Sequence, residues 1–252
     1  MIMLETGDQL DSAAKLLWAV WDAATDAERS EVISASMLRT LAHAGNYVAG
    51  AYLDGELVGC TVGLFGRRGK GADYLHSHIT GVHQPERNRG TGFALKRHQR
   101  LWALECGYDT VTWTFDPLVS RNGYFNFCKL GATVSEYVKD FYGQINDGAN
   151  NGDHTDRLIV NWSLRSERVE QAMRDEPGWP KHARVVPGAE VVAVPKDIRA
   201  LRDADPRRAS AARLETRERF LRLLDAGYQI VGMSRGHDYV LLPAGMTPEY
   251  ES

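Results

Sequence analysis

The stretch that decides the fold is residues 73–107, DYLHSHITGVHQPERNRGTGFALKRHQRLWALECG. Its side chains alternate in character up to Val82, which is typical of a β-strand. A turn with Gly90 and Gly92 follows, and apolar residues then recur at helical spacing as far as Cys106. A strand, a glycine-containing turn and a helix in this order predict an anion-binding site at the start of the helix.

The predicted site depends on the unpaired backbone of the helix N-terminus. The first N–H groups of a helix have no intrahelical acceptor, and together they carry about half a positive charge. Gly90 and Gly92 remove side chains that would keep a phosphate group away from these donors, and Arg87 and Arg89 add positive charge beside them. The alternative interpretation is an ordinary strand-to-helix turn with two surface arginines.

The glycine spacing excludes two common nucleotide-binding motifs. A G-x-G-x-x-G motif from Gly90 requires glycine where Leu95 stands, and a P-loop requires Gly-Lys before Ser or Thr. Residues 87–92 instead form Arg-Asn-Arg-Gly-Thr-Gly. This sequence resembles motif A, Gln/Arg-x-x-Gly-x-Gly/Ala, of the GNAT superfamily of acyl-CoA N-acyltransferases. The strand before it, the helix after it, a second strand at Tyr108–Asp116 and a short helix that ends with Lys129-Leu130-Gly131-Ala132 match the order of elements in that family.

The resemblance implies an α/β fold with a mixed, mostly antiparallel sheet, a central splayed parallel strand pair and flanking helices. It also implies that acetyl-CoA or another acyl-CoA is the co-substrate and that no metal is required. In that family the backbone N–H groups of the turn hold the pyrophosphate of coenzyme A, and the preceding strand end lies beside the pantetheine arm. The cofactor-binding residues implied here are Val82, Arg87, Asn88, Arg89, Gly90, Thr91, Gly92, Phe93 and, on the later short helix, Asn122.

Acyl transfer to an amine also needs a base. An alkylammonium with a pKa of about 10 is neutral in only about one molecule per thousand at pH 7, whereas imidazole titrates near neutrality. Strict alternation along the strand puts His76, His78 and Thr80 on one face and Leu75, Ser77 and Ile79 on the other. The pair His76 and His78 resembles the His-x-His pair of aralkylamine N-acetyltransferases. Core hydrogen bonding and metal binding are the alternative roles.

The leaving thiolate needs a proton, and here the chain departs from the family. The usual acid is a tyrosine four residues before the glycine that ends the short helix, and this position is Phe127. Tyr124, three residues earlier on nearly the same helical face, is the substitute candidate; protonation by water is the alternative. Asn122 and Asn126 could bind pantetheine or acceptor, or they could simply cap the helix and face water. Asp116 could attract an ammonium group or simply form a turn.

Composition limits the classes of partner. A net charge of −3 and a pI near 6.2 provide no electrostatic footprint for nucleic acid or an anionic membrane. Three cysteines without metal or redox spacing, and no apolar run long enough to span a bilayer, predict a soluble cytoplasmic protein. A small-molecule amine acceptor is the expected partner, and a homodimer is an open alternative.

The remaining elements fit one larger domain with an appendage. Helices are predicted over residues 8–27 and Ser34–Ala44, and Asp54-Gly55 predicts a hairpin between Tyr47–Tyr52 and Leu57–Phe65. Helix 92–106 is expected to turn Leu101 toward the sheet and Lys96 toward water. Further elements are predicted as a helix at Ser120–Leu130, strands at Thr133–Phe141 and Asp156–Leu164, a loop at Gln144–Thr155, a strand at Glu190–Val194, a helix at Arg207–Ala226 and a hairpin at Tyr228–Leu242.

The predicted domains are a GNAT domain at 1–165, a linker with a helical portion at 166–187 and a small α+β C-terminal extension at 188–252. Larger bacterial proteins of this type carry such tails. The favoured function is acetyl transfer from acetyl-CoA to a small molecule or amino-acid-like amine. The alternatives are a non-catalytic acyl-CoA-binding module and, more weakly, succinyl or other acyl transfer to amino acids.

Overall fold

The computed structural model describes residues 1–67, 73–143, 154–174, 179 and 181–252. The chain forms two compact units, with Met1–Trp113 in the first and residues 114–143 and 154–252 in the second. The two units divide near residue 113. Most of the predicted loop at Gln144–Thr155 lies outside the described residues.

The first unit contains four α-helices among its described residues: α1 (Gly7–Val20), α2 (Asp26–Val32), α3 (Ala35–His43) and α4 (Thr91–Glu105). Its strands are β1 (Ile2–Met3), β2 (Tyr47–Leu53), β3 (Glu56–Arg67), β4 (Asp73–Val82) and β5 (Thr110–Phe115), the last of which ends just inside the second unit. The predicted helix over residues 8–27 is therefore two helices. The first ends at Val20, and Thr25 starts the next, because its hydroxyl and the Glu28 side chain form a capping box.

The hairpin between β2 and β3 confirms the prediction from Asp54-Gly55. Both residues have positive φ, at 50° and 85°, which is the geometry of a tight two-residue turn that matches strand twist. The strands of the first unit follow the order β1-β2-β3-β4-β5. All neighbours are antiparallel except β4 and β5, which are parallel and paired only at Leu75 with Val111 and at His76 with Thr112.

The two faces of this sheet carry different helices. Helix α1 packs on β3 and β4, and α4 packs on β2, β3 and β4. The α1 side is an apolar core whose buried members include Leu10, Leu17, Leu38, Val48 and Val62. Burial of each such side chain contributes about 1.5–3 kcal/mol to folding, so this face fixes which side of β4 is turned to α1.

The α4 side of the sheet corrects two sequence expectations. Lys96, expected to face water, is only 4% exposed, whereas Leu101, expected to face the sheet, is 55% exposed. The buried positions of α4 are Leu95, Lys96, Gln99 and Ala103, which are spaced at three or four residues as one helical face requires. The sheet therefore selects a face of α4 that includes two polar side chains.

The second unit contains the described helices α5 (Ser120–Tyr124), α6 (Glu167–Arg174), α7 (Ile198–Ala204) and α8 (Pro206–Asp225). A π-helical segment, Phe125–Lys129, continues α5, and Gly131 then has φ of 65°. The strands are β6 (Thr133–Val138), β7 (Arg157–Ser163), β8 (His182–Ala183), β9 (Glu190–Val192), β10 (Tyr228–Met233), β11 (Tyr239–Pro243) and β12 (Tyr250–Glu251). Strands β6 and β7 pair antiparallel, β10-β11-β9 form a three-stranded sheet, and β12 pairs with β8.

Two arginines of α8 attach the C-terminal part of the chain to the rest of the second unit. Arg213 Nη1 and Nη2 donate to the two carboxylate oxygens of Asp116 at 2.6 and 2.7 Å. Arg217 binds Asp156, and it also donates to Asp140 at 3.2 Å. Although burial acts in the opposite direction, the hydrogen bond from Arg217 holds the pKa of Asp156 below its ordinary value. Asp116 is thus occupied by Arg213 and does more than form a turn.

The described residues contain no helix that is long and apolar enough to cross a membrane. The three cysteines, Cys60, Cys106 and Cys128, all have free thiols.

We expect Arg213→Ala to lower the free energy of unfolding by about 3–5 kcal/mol, because it leaves the carboxylate of Asp116 without its buried partner. Arg208→Ala is the matched control, since Arg208 lies exposed on the same helix and its loss should change stability by no more than about 0.5 kcal/mol. Urea denaturation of both variants measures the difference. Equal stability of the two variants would contradict a structural role for the Arg213 ion pair.

Candidate functional site

The turn between β4 and α4 has the geometry of an anion cradle. After a 3-10 turn at Gln84–Glu86, Asn88 and Gly90 both take positive φ, at 64° and 89°. The first intrahelical bond of α4 runs from Ala94 N to Gly90 O, so the N–H groups of Thr91, Gly92 and Phe93 precede the helical ladder. Gly92 lies inside the first turn of α4 and is absent from the positive-φ residues.

The cradle is open at the position where a ligand would meet it. Asn88, Arg89 and Gly90 are exposed, and a Cβ atom added at Gly90 would meet no atom within 4 Å. Glycine is needed here because of the left-handed backbone, and the absent side chain also keeps the approach to the helix N-terminus clear. Binding of an anionic group at this turn stays a prediction.

The two arginines of the motif have different surroundings. Arg87 Nε donates to the carbonyl oxygen of Val82 at 3.2 Å, which ties the turn back to the end of β4. Arg89 Nη1 lies 3.3 Å from Glu86 and remains largely exposed. Arg87 therefore braces the cradle, and Arg89 is the arginine placed at its surface.

The pairing of β3 with β4 contains a bulge that changes the predicted faces of β4. Val62 pairs with Ile79 but Gly63 pairs with Ser77, so His78 is the extra residue. Before the bulge, the side chain of Ser77 contacts Lys96 of α4. After the bulge, Ile79 packs on the α1 core. The hydroxyl of Thr80 is hydrogen-bonded to that of Thr61 on the α4 side. The prediction of strict alternation was therefore wrong: Thr80 shares a face with Ser77, and Ile79 lies on the opposite face.

His76 lies before the bulge and is half-buried. Since Ser77 faces α4, the adjacent His76 faces the other side of β4, where its Nδ1 is 3.1 Å from Thr112 Oγ1. Burial, followed by the charges of His78 and Lys96, lowers the pKa of His76 to about 4. The sequence-based expectation of a titration near neutrality is therefore wrong for this side chain, and His76 is neutral at physiological pH.

Two other titratable groups, His78 and Lys96, act on His76. His78 reaches the surface, and the atoms around it lower its pKa by desolvation. Lys96 Nζ donates to Ser77 Oγ at 2.8 Å and to Gln99 Oε1 at 3.0 Å. Burial lowers the pKa of Lys96 to about 7. The sequence pattern does not reveal Lys96, because a lysine beside Arg97 on a helix resembles a solvated face.

The other predicted residues, Tyr124 and Asn122, lie on α5 in the second unit. The ring of Tyr124 stacks on His237 at 4.7 Å between centroids and lies 5.8 Å from the ring of His182. Desolvation, with a smaller effect of Cys128, raises the pKa of Tyr124, so its phenol keeps its proton at neutral pH. Phe127 is buried, and its ring meets Tyr239 edge-on at 6.2 Å.

Cys128 lies beside these aromatic residues. Its Sγ is 3.9 Å from His182 Nδ1, but burial raises the pKa of the thiol to about 12. A thiol this weakly acidic is a poor nucleophile. Among the residues that the structure describes, no three His, Cys, Asp or Glu side chains are grouped so as to hold a metal ion.

Comparison with solved structures identifies the fold. The chain is similar to the protein smu.2055 from Streptococcus mutans UA159 (TM-score 0.52, 15% identity, 66% of this chain and 100% of that chain). It is also similar to an N-acetyltransferase from Staphylococcus aureus Mu50 (TM-score 0.51, 13% identity, 66% and 98%). An aminoglycoside 6'-acetyltransferase type Ii gives a TM-score of 0.50 at 18% identity, and the match covers 66% of this chain and 99% of that chain.

These similarities show that the chain has the fold of GNAT acetyltransferases, as the sequence motif predicted. The matches cover about two thirds of this chain, so the remaining third lies outside the part that these structures share. No family model matches the sequence, and no curated protein matches it.

The buried ammonium of Lys96 predicts a pH-dependent stability. Its pKa is about 7 in the folded protein and about 10.4 in an unfolded chain, so between these values the unfolded chain binds more protons. This group therefore makes the free energy of unfolding rise with pH from about 7 to about 10. We expect Lys96→Met to lack this rise, so that wild type gains stability over the variant as the pH increases through that window.

Urea denaturation at several pH values in this window measures the effect. Arg97→Met is the matched control, because Arg97 is the adjacent, exposed cation of α4 and its loss should give a difference from wild type that does not change with pH. A pH-independent difference for Lys96→Met as well would show that Lys96 has no depressed pKa.

Proposed function

We propose that this protein is an acyl-CoA-dependent N-acyltransferase that moves an acetyl group from acetyl-CoA to the amine of a small molecule or amino-acid-like acceptor. The cradle at the start of α4 carries the proposal. Left-handed Asn88 and Gly90 precede the N–H groups of Thr91, Gly92 and Phe93, and this combination suits the pyrophosphate of coenzyme A. Val82, Arg87 and Arg89 flank these donors, and Asn122 is the further proposed contact of the cofactor.

The proposed reaction is direct transfer. The nitrogen lone pair of the acceptor amine attacks the thioester carbonyl carbon, the tetrahedral intermediate collapses, and the C–S bond breaks to release the coenzyme A thiolate. The ammonium proton leaves through His76, directly or through water, and His78 lies two residues further along the same strand. The thiolate takes a proton from Tyr124, which replaces the tyrosine expected at Phe127, or from water.

The low pKa of His76 shapes this proposal. An imidazole with a pKa of about 4 is always ready to accept a proton at neutral pH, but it is a weaker base than an ordinary histidine. It therefore suits an amine that is delivered neutral, or that loses its proton as the C–N bond forms. The His76–Thr112 contact orients the ring for this task.

A non-catalytic acyl-CoA-binding module is the second candidate. Its specific support is Phe127, a buried phenyl ring at the position where the family usually has its acid. Acceptor-dependent thiol release from acetyl-CoA or succinyl-CoA across a panel of amines and amino acids separates the candidates. Tight cofactor binding without thiol release would favour the binding module. Thiol release from succinyl-CoA but not from acetyl-CoA would mean that the transferred group is succinyl and not acetyl.

A cytoplasmic location stays a prediction. It agrees with the three free thiols of the chain, since the cytoplasm keeps thiols reduced.

We expect Gly90→Glu to abolish coenzyme A binding, because it places a negative side chain at the mouth of the cradle. Gly107→Glu is the matched control. Gly107 follows the other end of α4 with φ of 84° and, like Gly90, has open space around its added Cβ, so backbone strain is similar in the two variants. Isothermal titration calorimetry with coenzyme A measures affinity. Equal affinity of the two variants would contradict the cradle assignment.

We expect His76→Gln to lower kcat by roughly 10²–10⁴-fold while the affinity for acetyl-CoA is unchanged. The fall should extend over the whole range above about pH 5, because His76 in wild type is already neutral there. Fixed-time assays of thiol release from about pH 5 to pH 9 measure this fall in kcat. A loss confined to pH values near neutrality, or no loss, would exclude His76 as the base.

A further inference from the structure

Lys96 is a buried cation that the proposed chemistry does not use. Its side chain is 4% exposed, and its ammonium has two hydrogen-bond acceptors, Ser77 Oγ and Gln99 Oε1. The face of the Trp113 ring lies 4.0 Å from Nζ, which is a cation–π distance. Burial of an ammonium is costly unless such partners compensate for lost water. The presence of a lysine at this buried position therefore needs a structural or functional explanation.

The partners of Lys96 connect both sides of the bulge in β4. Ser77 lies before the extra residue His78 and binds Lys96 directly. Thr80 lies after it, and its Oγ1 is 2.8 Å from Thr61 Oγ1. Gln99 Nε2 donates to the same Thr61 oxygen at 3.5 Å. Gln99 in turn accepts from Lys96. Both ends of the bulge are therefore joined to helix α4 by one continuous polar network.

This network can form in only one register of the strand. Ser77 and Thr80 are three residues apart, and a regular strand would turn them to opposite faces. The extra residue brings both hydroxyls to the α4 side. A slip that removed the bulge would leave Lys96 or Thr61 without its partner in the interior, at a cost of about 1–3 kcal/mol for each unsatisfied group.

We propose that Lys96 is a positioning residue for His76, because its bond to Ser77 holds the bulge of β4 in register and so presents the imidazole on the opposite face of the strand beside Thr112. This inference rests on the proposed function, in which His76 is the base. Lys96 itself does not touch the reacting atoms. It acts through the backbone of the residue next to His76.

The charge of Lys96 gives this role a measurable signature. Below about pH 7 Lys96 carries its proton, so it is charged throughout the range in which His76 titrates. Its charge and that of His78 reinforce the effect of burial on the pKa of His76. The parallel neighbour β5 presents Thr112, which has no charge.

The remaining titratable groups around Lys96 do not share this signature. On the α4 side of the sheet, Tyr47 of β2 is hydrogen-bonded to His98 of α4 at 2.7 Å. Burial raises the pKa of Tyr47, so it stays neutral, and burial lowers the pKa of His98. Cys60 of β3 belongs to the α1 core with a pKa raised to about 12. Below pH 7, Lys96 is thus a charge that acts on His76 together with His78.

Two variants separate the bond from the charge. Lys96→Met removes both, and Ser77→Ala removes the bond while Lys96 keeps its charge. Arg97→Met again serves as the control, since it removes an exposed cation from the next position of α4. Circular dichroism during thermal unfolding verifies that each variant folds cooperatively.

The readouts are the titration of His76 and the kinetics of transfer. With ¹³C-labelled histidine, the His76 resonance is assigned by its loss in His76→Gln, and its pKa is followed by NMR. We expect Lys96→Met to bind a proton at His76 several-fold more tightly than wild type, whereas Ser77→Ala and Arg97→Met leave this titration near that of wild type. Both Lys96→Met and Ser77→Ala should lower kcat at least tenfold with unchanged KM for acetyl-CoA, and Arg97→Met should not.

The possible failures are distinct. An unchanged His76 titration and unchanged kcat in Lys96→Met would overturn the proposal, as would full kcat in Ser77→Ala if Lys96→Met does not fold. A shifted titration with full kcat would also overturn it, because the charge would then act without positioning the base. If wild type transfers no acyl group, the proposed function fails. Unaltered amide resonances of Ser77 and His78 in Lys96→Met would then still refute the proposal that Lys96 holds the bulge of β4 in register.

Discussion

The first unit depends on a bulge of one residue in strand β4. Without His78 as the extra residue, the strand would continue its alternation and turn Ile79 toward α4 and Thr80 toward the apolar core against α1. The bulge resolves this conflict, because it returns Ile79 to the α1 core while the hydroxyls of Ser77 and Thr80 both face α4. Strands with bulges bend and twist more strongly. In agreement, β4 pairs with its parallel neighbour β5 only at Leu75 and His76, before the bulge begins.

Helix α4 serves two purposes that place different demands on its sequence. Its first turn has to be bare and positively polarised, so it follows left-handed Gly90 and begins with Thr91 and Gly92. Its middle has to satisfy the hydroxyls that the bulge brings to its side of the sheet, so it carries Lys96 and Gln99 at buried positions. The same rigid element therefore orients the candidate cofactor site and the strand that bears the candidate base. Such support from packed elements is what keeps a catalytic geometry within narrow limits.

The second unit is held by charge as well as by apolar packing. Arg213 is 1% exposed and forms a two-point pair with Asp116, while Arg217 joins Asp140 and Asp156. Tyr239 of β11 also donates to the carbonyl oxygen of Pro117 at 2.8 Å. The C-terminal helix and hairpin thus form part of the structure around the end of β5 and the strands β6 and β7. Pairs of this kind are costly to break from one side, which makes the C-terminal segment an integral part of its unit.

Most of the architecture could be predicted from local sequence signals. The Asp54-Gly55 turn, the strand ending at Val82, the turn at Gly90 and the helix after it each depend on backbone preferences of a few neighbouring residues. Motif spacing then indicated the GNAT fold, which the solved structures bear out. Helix boundaries were less accurate where one periodic segment was interrupted by a new cap, as at Thr25.

Within the candidate site, the sequence by itself determined the cradle, because a helix N-terminus and a left-handed glycine are local properties of the chain. Only the tertiary structure decided the faces of β4, the burial of Lys96 and the low pKa of His76. Alternation cannot reveal a bulge, since the extra residue is defined by its pairing with another strand. The pKa of a side chain likewise depends on burial and on charges from distant positions, and these come together only when the helix packs on the sheet.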